Sequence, residues 1–305
     1  MVAAMKLAIT GATGFVGGRL LEQAVEAGHE VRALTRRPQS PRPGVAWIDG
    51  ALDQPDSLDR LADGADAVIH VAGVINAPDP AGFEAGNVTG TAAIVAAAEK
   101  AGAKRFVHVS SLAAREPRLS IYGATKAGSE ALVSASLLPS AIVRPPAVYG
   151  PGDKETLELF RMAKRGIILL PPEGKLSLIH VDDLGRLLLA LSDSAAPRGL
   201  LVEPDDGRHD GWTHAEFGRA LGAALGRRVA TVSVPRPVLN ICARLDRWVR
   251  GDRAKLTADR VAYFCHPDWM VDPGRGTPEA LWTPEIDTDK GLSDTVRWYR
   301  EAGWL

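Results

Sequence analysis

The stretch MKLAITGATGFVGGRLL, residues 5–21, does more than any other to limit the folds open to this chain. An apolar run passes into three glycines spaced three apart, Gly11, Gly14 and Gly17, and then into helix-forming residues. Glycine accepts positive φ at little steric cost, so one reading is plain punctuation of a strand-to-helix turn. The other is a phosphate cradle: without Cβ atoms a pyrophosphate can approach the backbone while helix N–H groups point at its charge. The spacing is G-x-x-G-x-x-G rather than the commoner G-x-G-x-x-G. Its context is what a cradle needs. Lys6 to Thr10 reads as a buried strand and Gly14 to Ala27 as a helix, which Gly28 ends before HEVRALT begins a second strand. The cradle is therefore preferred, and a dinucleotide is the expected ligand.

Up to about residue 145 short apolar strands alternate with Ala-rich helical stretches, the pattern of a parallel sheet with crossover helices. Strands are expected at Lys6 to Thr10, Glu30 to Thr35, Val45 to Ile48, Ala67 to Val71, Arg105 to Ser110 and Ser140 to Arg144. Helices are expected at Ser57 to Leu61, Gly82 to Ala101 and Tyr122 to Ser136. The fold class is α/β: a Rossmann-type doubly wound parallel sheet of about seven strands, with ligands at the strands' carboxyl ends. After RPPAVYGPGD the rhythm breaks into isolated pieces. These include helices at Glu155 to Lys164, Asp183 to Leu191, Thr213 to Leu225 and Thr288 to Ala302, and a strand at Leu176 to Val181. Residues 1–150 are expected to form the dinucleotide-binding domain. Residues 151–305 form a smaller, mainly substrate-binding C-terminal portion, interleaved with the first.

Charge excludes several partners. The chain has 36 Lys+Arg against 37 Asp+Glu, so no global field favours nucleic acid or an anionic membrane, and any charge-based recognition must be local. The two cysteines, Cys242 and Cys265, form no spaced framework; buried thiols in a reducing compartment are expected, and no metal site. No apolar stretch is long enough for a membrane span and no apolar leader precedes the first strand, so the expected location is the cytoplasm. A small-molecule substrate is the expected partner. The C-terminal TVRWYREAGWL groups Val296, Trp298, Tyr299, Ala302, Trp304 and Leu305, which either anchor the chain end in the core or form a homodimer contact. His108 and His180, inside apolar strands, read as core histidines, and Asp182 and Asp183 as a helix cap and first-turn charge.

The tip of the second strand selects the cofactor. A carboxylate there would accept from an adenosine ribose 2′-hydroxyl, but ALTRRPQS offers Thr35, Arg36 and Arg37 instead. Two arginines suit a 2′-phosphate, although solvated arginines at a strand end are the competing reading. NADP is therefore preferred over NAD.

Chemistry is concentrated in RFVHVSSLAAREPRLSIYGATKAGSEALV. Ser110 and Ser111 end a strand, and Tyr122 and Lys126 are four apart, on one face of a helix. An ammonium beside a phenol favours phenolate, so the Tyr122 pKa is expected to fall toward a value useful for proton transfer. A serine hydroxyl at the strand tip can bond the same substrate oxygen.

These segments, with TGATGFVG, DAVIHVAG, NVTGT, FVHVSS, YGATK, RPPAVYGPGD and IHVDDLG, resemble the extended short-chain dehydrogenase/reductases, the group often called NAD-dependent epimerase/dehydratase. The resemblance covers most of the chain. It implies that Tyr122 is the catalytic acid/base, that Lys126 lowers its pKa and holds the nicotinamide ribose, that Ser111 polarises the substrate oxygen and that Asn87 supports the lysine. Either Ser110 or Ser111 can be the active hydroxyl, and Asn87 can instead be a helix cap. The resemblance also implies cofactor contacts from Gly11, Thr13, Gly14, Phe15, Val16 and Gly17, from Ala72 and Gly73, and from Pro145 and Val148. The chain departs from the family at IDGALDQ, where Ala51 replaces an acidic residue before Leu52. The leading expectation is an NAD(P)-dependent oxidoreductase acting by hydride transfer on a carbonyl or secondary alcohol. The alternatives are a nucleotide-sugar epimerase or dehydratase, and a non-catalytic NADPH-binding protein on the same fold. RGIILLPPEGKLSLIHVDDLG leans apolar, and SSLAA lacks the acidic residue a dehydratase would use.

Overall fold

The computed structural model describes residues 4–193 and 195–305, and the chain divides into two compact units. The first takes residues up to 144 together with 184–203 and 277–282; the second takes 145–183, 204–276 and 283–305. The first begins with β1 (Lys6–Thr10), α1 (Phe15–Glu26), β2 (Glu30–Thr35), β3 (Val45–Asp49), α2 (Pro55–Ala62) and β4 (Ala67–His70). It continues through α3 (Pro80–Glu84), α4 (Gly90–Lys100), β5 (Arg105–Val109), α5 (Ile121–Ala135) and β6 (Ser140–Val143). The chain then contributes β7 (Ala147–Tyr149), α6 (Glu155–Lys164), β8 (Ile167–Leu170), β9 (Lys175–Leu176) and β10 (Leu178–His180) to the second unit. α7 (Val181–Ser192) carries it back to the first, which β11 (Leu200–Val202) completes.

Seven strands form one parallel sheet in the order β11-β6-β5-β4-β1-β2-β3. A parallel sheet needs helices on both faces, which is why its strands read as nearly continuous apolar runs. Ala8, Leu34, Val68, Phe106 and Ile142 point to one face, where Leu58, Leu61, Ile94, Ala98 and Val133 of α2, α4 and α5 cover them. The alternate residues Leu7, Ile9, Val31, Ile69 and Val107 are equally buried, as are Leu20 and Leu21 of α1 and Leu184, Leu187, Leu188 and Leu191 of α7. Burying each such side chain contributes about 1.5 to 3 kcal/mol. Arg105 is fully buried at the start of β5, where its guanidinium donates to the carbonyls of Leu191 (2.7 Å), Ala196 (3.3 Å) and Pro197 (2.7 Å). The strand order turns beside β1, which lies between β2 and β4, so their carboxyl ends border a crevice.

The single helix expected over Gly82 to Ala101 is three pieces: α3, a π-helical turn at Ala85–Thr89, and α4. The extra residue of a π turn swings one side chain out of helical register, here Asn87 into the interior. The strand expected over Leu176 to Val181 is also two: β9 pairs antiparallel with β12 (Trp212–Thr213), and β10 pairs parallel with β7.

The second unit continues from β12 through α8 (His214–Ala224), β13 (Ala230–Ser233), α9 (Arg236–Arg250), α10 (Ala258–Phe264), β14 (Asp268–Trp269) and α11 (Thr288–Glu301). Its core is aromatic. Tyr149, Phe160, Trp212, Phe217 and Tyr299 pack with Leu157, Leu221, Leu292 and Val296. Tyr299 stacks on Trp304 at 5.8 Å and donates its hydroxyl to the carbonyl of Asp153 at 2.6 Å, so the C-terminal cluster anchors the chain end. Asp183 does more than place charge in a first turn: its carboxylate accepts the N–H groups of Glu285 and Ile286. The thiol expectation needs correcting for Cys242, which is exposed, because the apolar side of α9 faces solvent.

Candidate active site

The turn after β1 is built around close backbone approach. Gly11 has φ +75°, and a Cβ there would lie 2.7 Å from the amide nitrogen of Ala72, beyond the end of β4. A Cβ on Gly17 would lie 2.1 Å from the carbonyl oxygen of Gly11, so only glycine lets the first turn of α1 sit on the loop. The Gly14 amide donates to that same oxygen at 2.9 Å. Gly14 is the N-cap of α1, with no side-chain cap and no acidic residue in the first turn. The first N–H groups of α1 are thus left for an outside acceptor, beside the exposed Thr13 and Gly14 and the half-buried Phe15 and Val16. This arrangement fits the pyrophosphate of a dinucleotide.

A chain of hydrogen bonds fixes the neighbouring strand ends. Thr10 Oγ1 contacts His70 Nδ1 at 2.7 Å and accepts from the amide of Ala72 at 3.2 Å. His70 Nε2 meets Thr91 Oγ1 at 3.0 Å, and Thr91 donates to the carbonyl of Asn87. Asn87 is not a helix cap. Its amide side chain accepts from Val74 N (2.7 Å) and donates to Val74 O (2.9 Å) and to Thr125 Oγ1 (3.0 Å), tying the loop after β4 to α5. A Cβ on Gly73 would lie 3.2 Å from Asn87 Oδ1 and 3.8 Å from Lys126 Nζ, which sets the lysine beside this loop.

Lys126 is buried and donates to the carbonyl of Val109 at 2.8 Å. Burial lowers its pKa to about 8, partly opposed by Glu130. The expected fall of the Tyr122 pKa is not what the structure gives. Burial is the larger influence and raises it, while a hydrogen bond with the Ser111 hydroxyl pulls the other way. The phenol is therefore held protonated, as a donor. Removal from water opposes charge on any acid, and no carboxylate or cation overrides it here. His70 and His108, stacked at 5.4 Å, are both held neutral by burial, with the His70 pKa near about 3. His108 departs in part from a satisfied core histidine: Nε2 meets Ser129 Oγ at 2.9 Å, but Nδ1 is buried without a partner among the described residues.

The two serines are separated by their partners. Ser110 donates to Glu130 at 2.5 Å, whereas Ser111 accepts from the amide of Ala113 at 3.2 Å and bonds the Tyr122 phenol. Behind Ser110 runs a buried ionic chain: Glu130 is held by both arms of Arg144 (2.8 and 2.6 Å), Arg144 reaches Glu203 (3.2 Å), and Glu203 reaches Arg115 (3.3 Å). Sequence reasoning passed over Glu130, Arg144, Glu203, Thr10, Thr91 and Thr125. The available signal was a carboxylate four residues after Lys126, in an Ala-rich helix otherwise directed inward.

Ser111, Tyr122, Lys126, Asn87, Ala72, Gly73 and the glycine turn all belong to the first unit, at the carboxyl ends of β1, β4 and β5. Arg36 and Arg37 follow β2 in the same unit, exposed and in no ion pair among the described residues; Thr35 Oγ1 donates to the carbonyl of Arg37 at 2.7 Å. Pro145 and Val148 fall in the second unit, Pro145 buried and Val148 in β7 against Ile179. Among the described residues no group of His, Cys, Asp or Glu could hold a metal ion, and no helix is long and apolar enough to cross a membrane.

A doubly wound parallel sheet with a glycine-built turn at its crevice defines a Rossmann-type, nucleotide-binding α/β protein. More specifically, the NAD dependent epimerase/dehydratase family matches residues 7–200, and the chain belongs to that family. It is 40% identical over 309 residues to the ceramide reductase of Caulobacter vibrioides, covering 98% of this chain and 96% of that protein. It is 28% identical over 330 residues to the 2-alkyl-3-oxoalkanoate reductase of Stenotrophomonas maltophilia, covering 94% and 97%. Its fold is similar to that of the Bordetella bronchiseptica enzyme WbmG in complex with NAD and UDP, with a TM-score of 0.78 at 21% identity over 99% of this chain and 97% of that one.

Proposed function

We propose that this enzyme is an NADP(H)-preferring reductase of a carbonyl group on an aliphatic lipid, with Tyr122 as acid/base. The observation that carries the reading is the arrangement at the carboxyl ends of the strands, where the Tyr122 phenol bonds Ser111 and Lys126 Nζ lies beside the loop at Gly73. The glycine turn would hold the pyrophosphate of a reduced dinucleotide and the loop at Ala72 and Gly73 its ribose, and the nicotinamide would supply the hydride. Tyr122 gives its proton to the oxygen of the substrate carbonyl, and Ser111 bonds the same oxygen. Lys126 presents its ammonium beside the loop at Gly73, where a ribose hydroxyl can accept from it, and its charge favours the phenolate left after proton transfer. Asn87 and Thr125 keep that loop and α5 in register. Residues 1–150 hold the dinucleotide in this reading, and 151–305 mainly cover the substrate.

Arg36 and Arg37 support the 2′-phosphate preference, since both are exposed at the tip of β2 with no carboxylate replacing them. The lipid substrate is supported by the reductase names of the two full-length relatives. The test is coenzyme consumption with purified protein, NADPH against NADH, offered 3-oxo lipids, oxidised ceramide, short ketones and UDP-sugars. Stoichiometric NADPH loss with an aliphatic carbonyl substrate is expected. Conversion of a UDP-sugar with no net coenzyme loss would replace the reductase reading with an epimerase.

A further inference from the structure

The second unit leaves an apolar helix face in water. Along α9, Val238, Ile241, Cys242, Leu245, Trp248 and Val249 recur at helical spacing and form one continuous arc. Trp248 is 84% exposed and Val249 71%, with Leu245 at 57% and Ile241 at 55%. The opposite side packs on the protein: Ala243 is the buried residue of the helix, and Asp246 accepts the amides of Lys255 (2.7 Å) and Leu256 (2.9 Å). The arc is thus presented outward by an anchored helix. Upstream, the paired strands β8 and β13 expose Ile167, Leu169 and Val232 on one face as well. Monomeric proteins rarely expose contiguous apolar surface of this kind without something to cover it.

Charge says what covers it. Residues 236–255 carry six Arg or Lys against two Asp, in a chain whose net charge is -1. Arg236 and Arg244 enter no ion pair among the described residues, while Arg247 pairs with the exposed Asp252, Arg250 with Asp246 and Lys255 with Glu158. The geometry points to α9 as an interfacial helix that docks this protein on an anionic phospholipid bilayer, lying in the plane of the surface. The apolar arc enters the acyl boundary, Trp248 sits at headgroup level, Arg244 beside the arc meets lipid phosphates, and the other cations of the helix add to the local positive field. At 15 residues the helix is too short to span. A second copy of the chain is a poorer occupant, because two such helices face to face gather the positive charge of both around one apolar seam. The docking follows from this face alone and holds whether or not the substrate is a lipid.

Vesicle flotation of the purified full chain tests it. The protein is expected to float with phosphatidylcholine vesicles containing phosphatidylglycerol and to remain below with phosphatidylcholine alone, and added salt should release it. Leu245→Ser with Trp248→Ser should reduce binding by at least roughly tenfold, and Arg244→Gln with Arg247→Gln by roughly tenfold. All four positions are solvent-facing, so unchanged melting of both variants is expected and checks that the fold persists. Equal flotation with both vesicle types, or none with either, overturns the proposal. So does a dimer, seen by sedimentation without lipid, that Trp248→Ser dissociates. Coenzyme consumption on a short soluble ketone reports separately on the reductase reading, and the α9 variants should leave it unchanged.

Discussion

The two units treat burial in opposite ways. In the first, charged and polar groups go inside: Glu130, Arg144 and Glu203 interlock behind Ser110, and Thr10, His70, Thr91 and Asn87 link the ends of β1 and β4 to α4 and the π turn. In the second, an aromatic core is closed by Tyr299 and Trp304 while Leu245 and Trp248 stay in water. The contrast separates two ways of preparing for a ligand. Buried polar groups are tolerable only when each has a partner, so they fix the positions of the side chains beside them. An exposed apolar face fixes nothing by itself and gains free energy only when something covers it.

If the first unit's polar interior serves chemistry, its removal should be costly in graded ways. The largest effect is expected for Tyr122→Phe, which keeps the ring beside Phe83 and removes only the transferable proton. Turnover on a verified substrate should drop by about 10² to 10⁴ while coenzyme binding and the melting temperature hold. Near-normal turnover would remove Tyr122 from the mechanism.

Next comes the ionic chain. Arg144→Met strands Glu130 and Glu203 in the interior and should cost about 3 to 5 kcal/mol in denaturant unfolding. Arg247→Gln, which breaks an exposed pair with Asp252, should cost about 0.5 kcal/mol or less. Equal losses at the two sites would break the contrast drawn between the units.

A third effect is pH dependence. His70 has a folded pKa near about 3 against an ordinary 6.5, so between those values the unfolded chain binds a proton that the folded chain refuses. Stability should therefore fall as pH drops through that window, with His108 acting in the same direction. Comparing unfolding midpoints across the window, His70→Gln should give a shallower pH slope than the unaltered protein; identical slopes would contradict the assignment.

Among changes at the candidate site the smallest effect is expected at the edge of the first unit, where Arg36 is open to water. Arg36→Asp should weaken NADPH binding by about 1 to 2 kcal/mol, less than a buried pair would lose, and should change NADH binding much less. Titration calorimetry with both coenzymes decides it, and equal affinity of the unaltered protein for the two would count against an NADP preference.

Much of the first unit was legible. Lys6–Thr10 and Glu30–Thr35 coincide with their expected strands, since each is a short run rich in apolar and β-branched residues that a glycine delimits, Gly11 after the first and Gly28 before the second. Tyr122 and Lys126 lie on α5 as their spacing requires. The Tyr122 pKa was misread because spacing alone places an ammonium near a phenol without revealing the desolvation of both. α9 went unread. Its helical apolar repeat and Pro237 were in the text, but the same repeat describes a helix whose stripe is buried.

The sequence by itself determined the alternation of strand and helix, the glycine turn and the Ser, Tyr and Lys types at their intervals. These follow from local sterics and periodicity, which act over a few neighbouring residues. Only the tertiary structure decided that Asn87 points inward from a π turn, that Ser110 is taken by Glu130 and leaves Ser111 to Tyr122, and that the apolar side of α9 faces out. Each depends on groups brought together from distant parts of the chain, and burial, which sets both hydrogen-bond partners and proton affinity, is a property of that assembly.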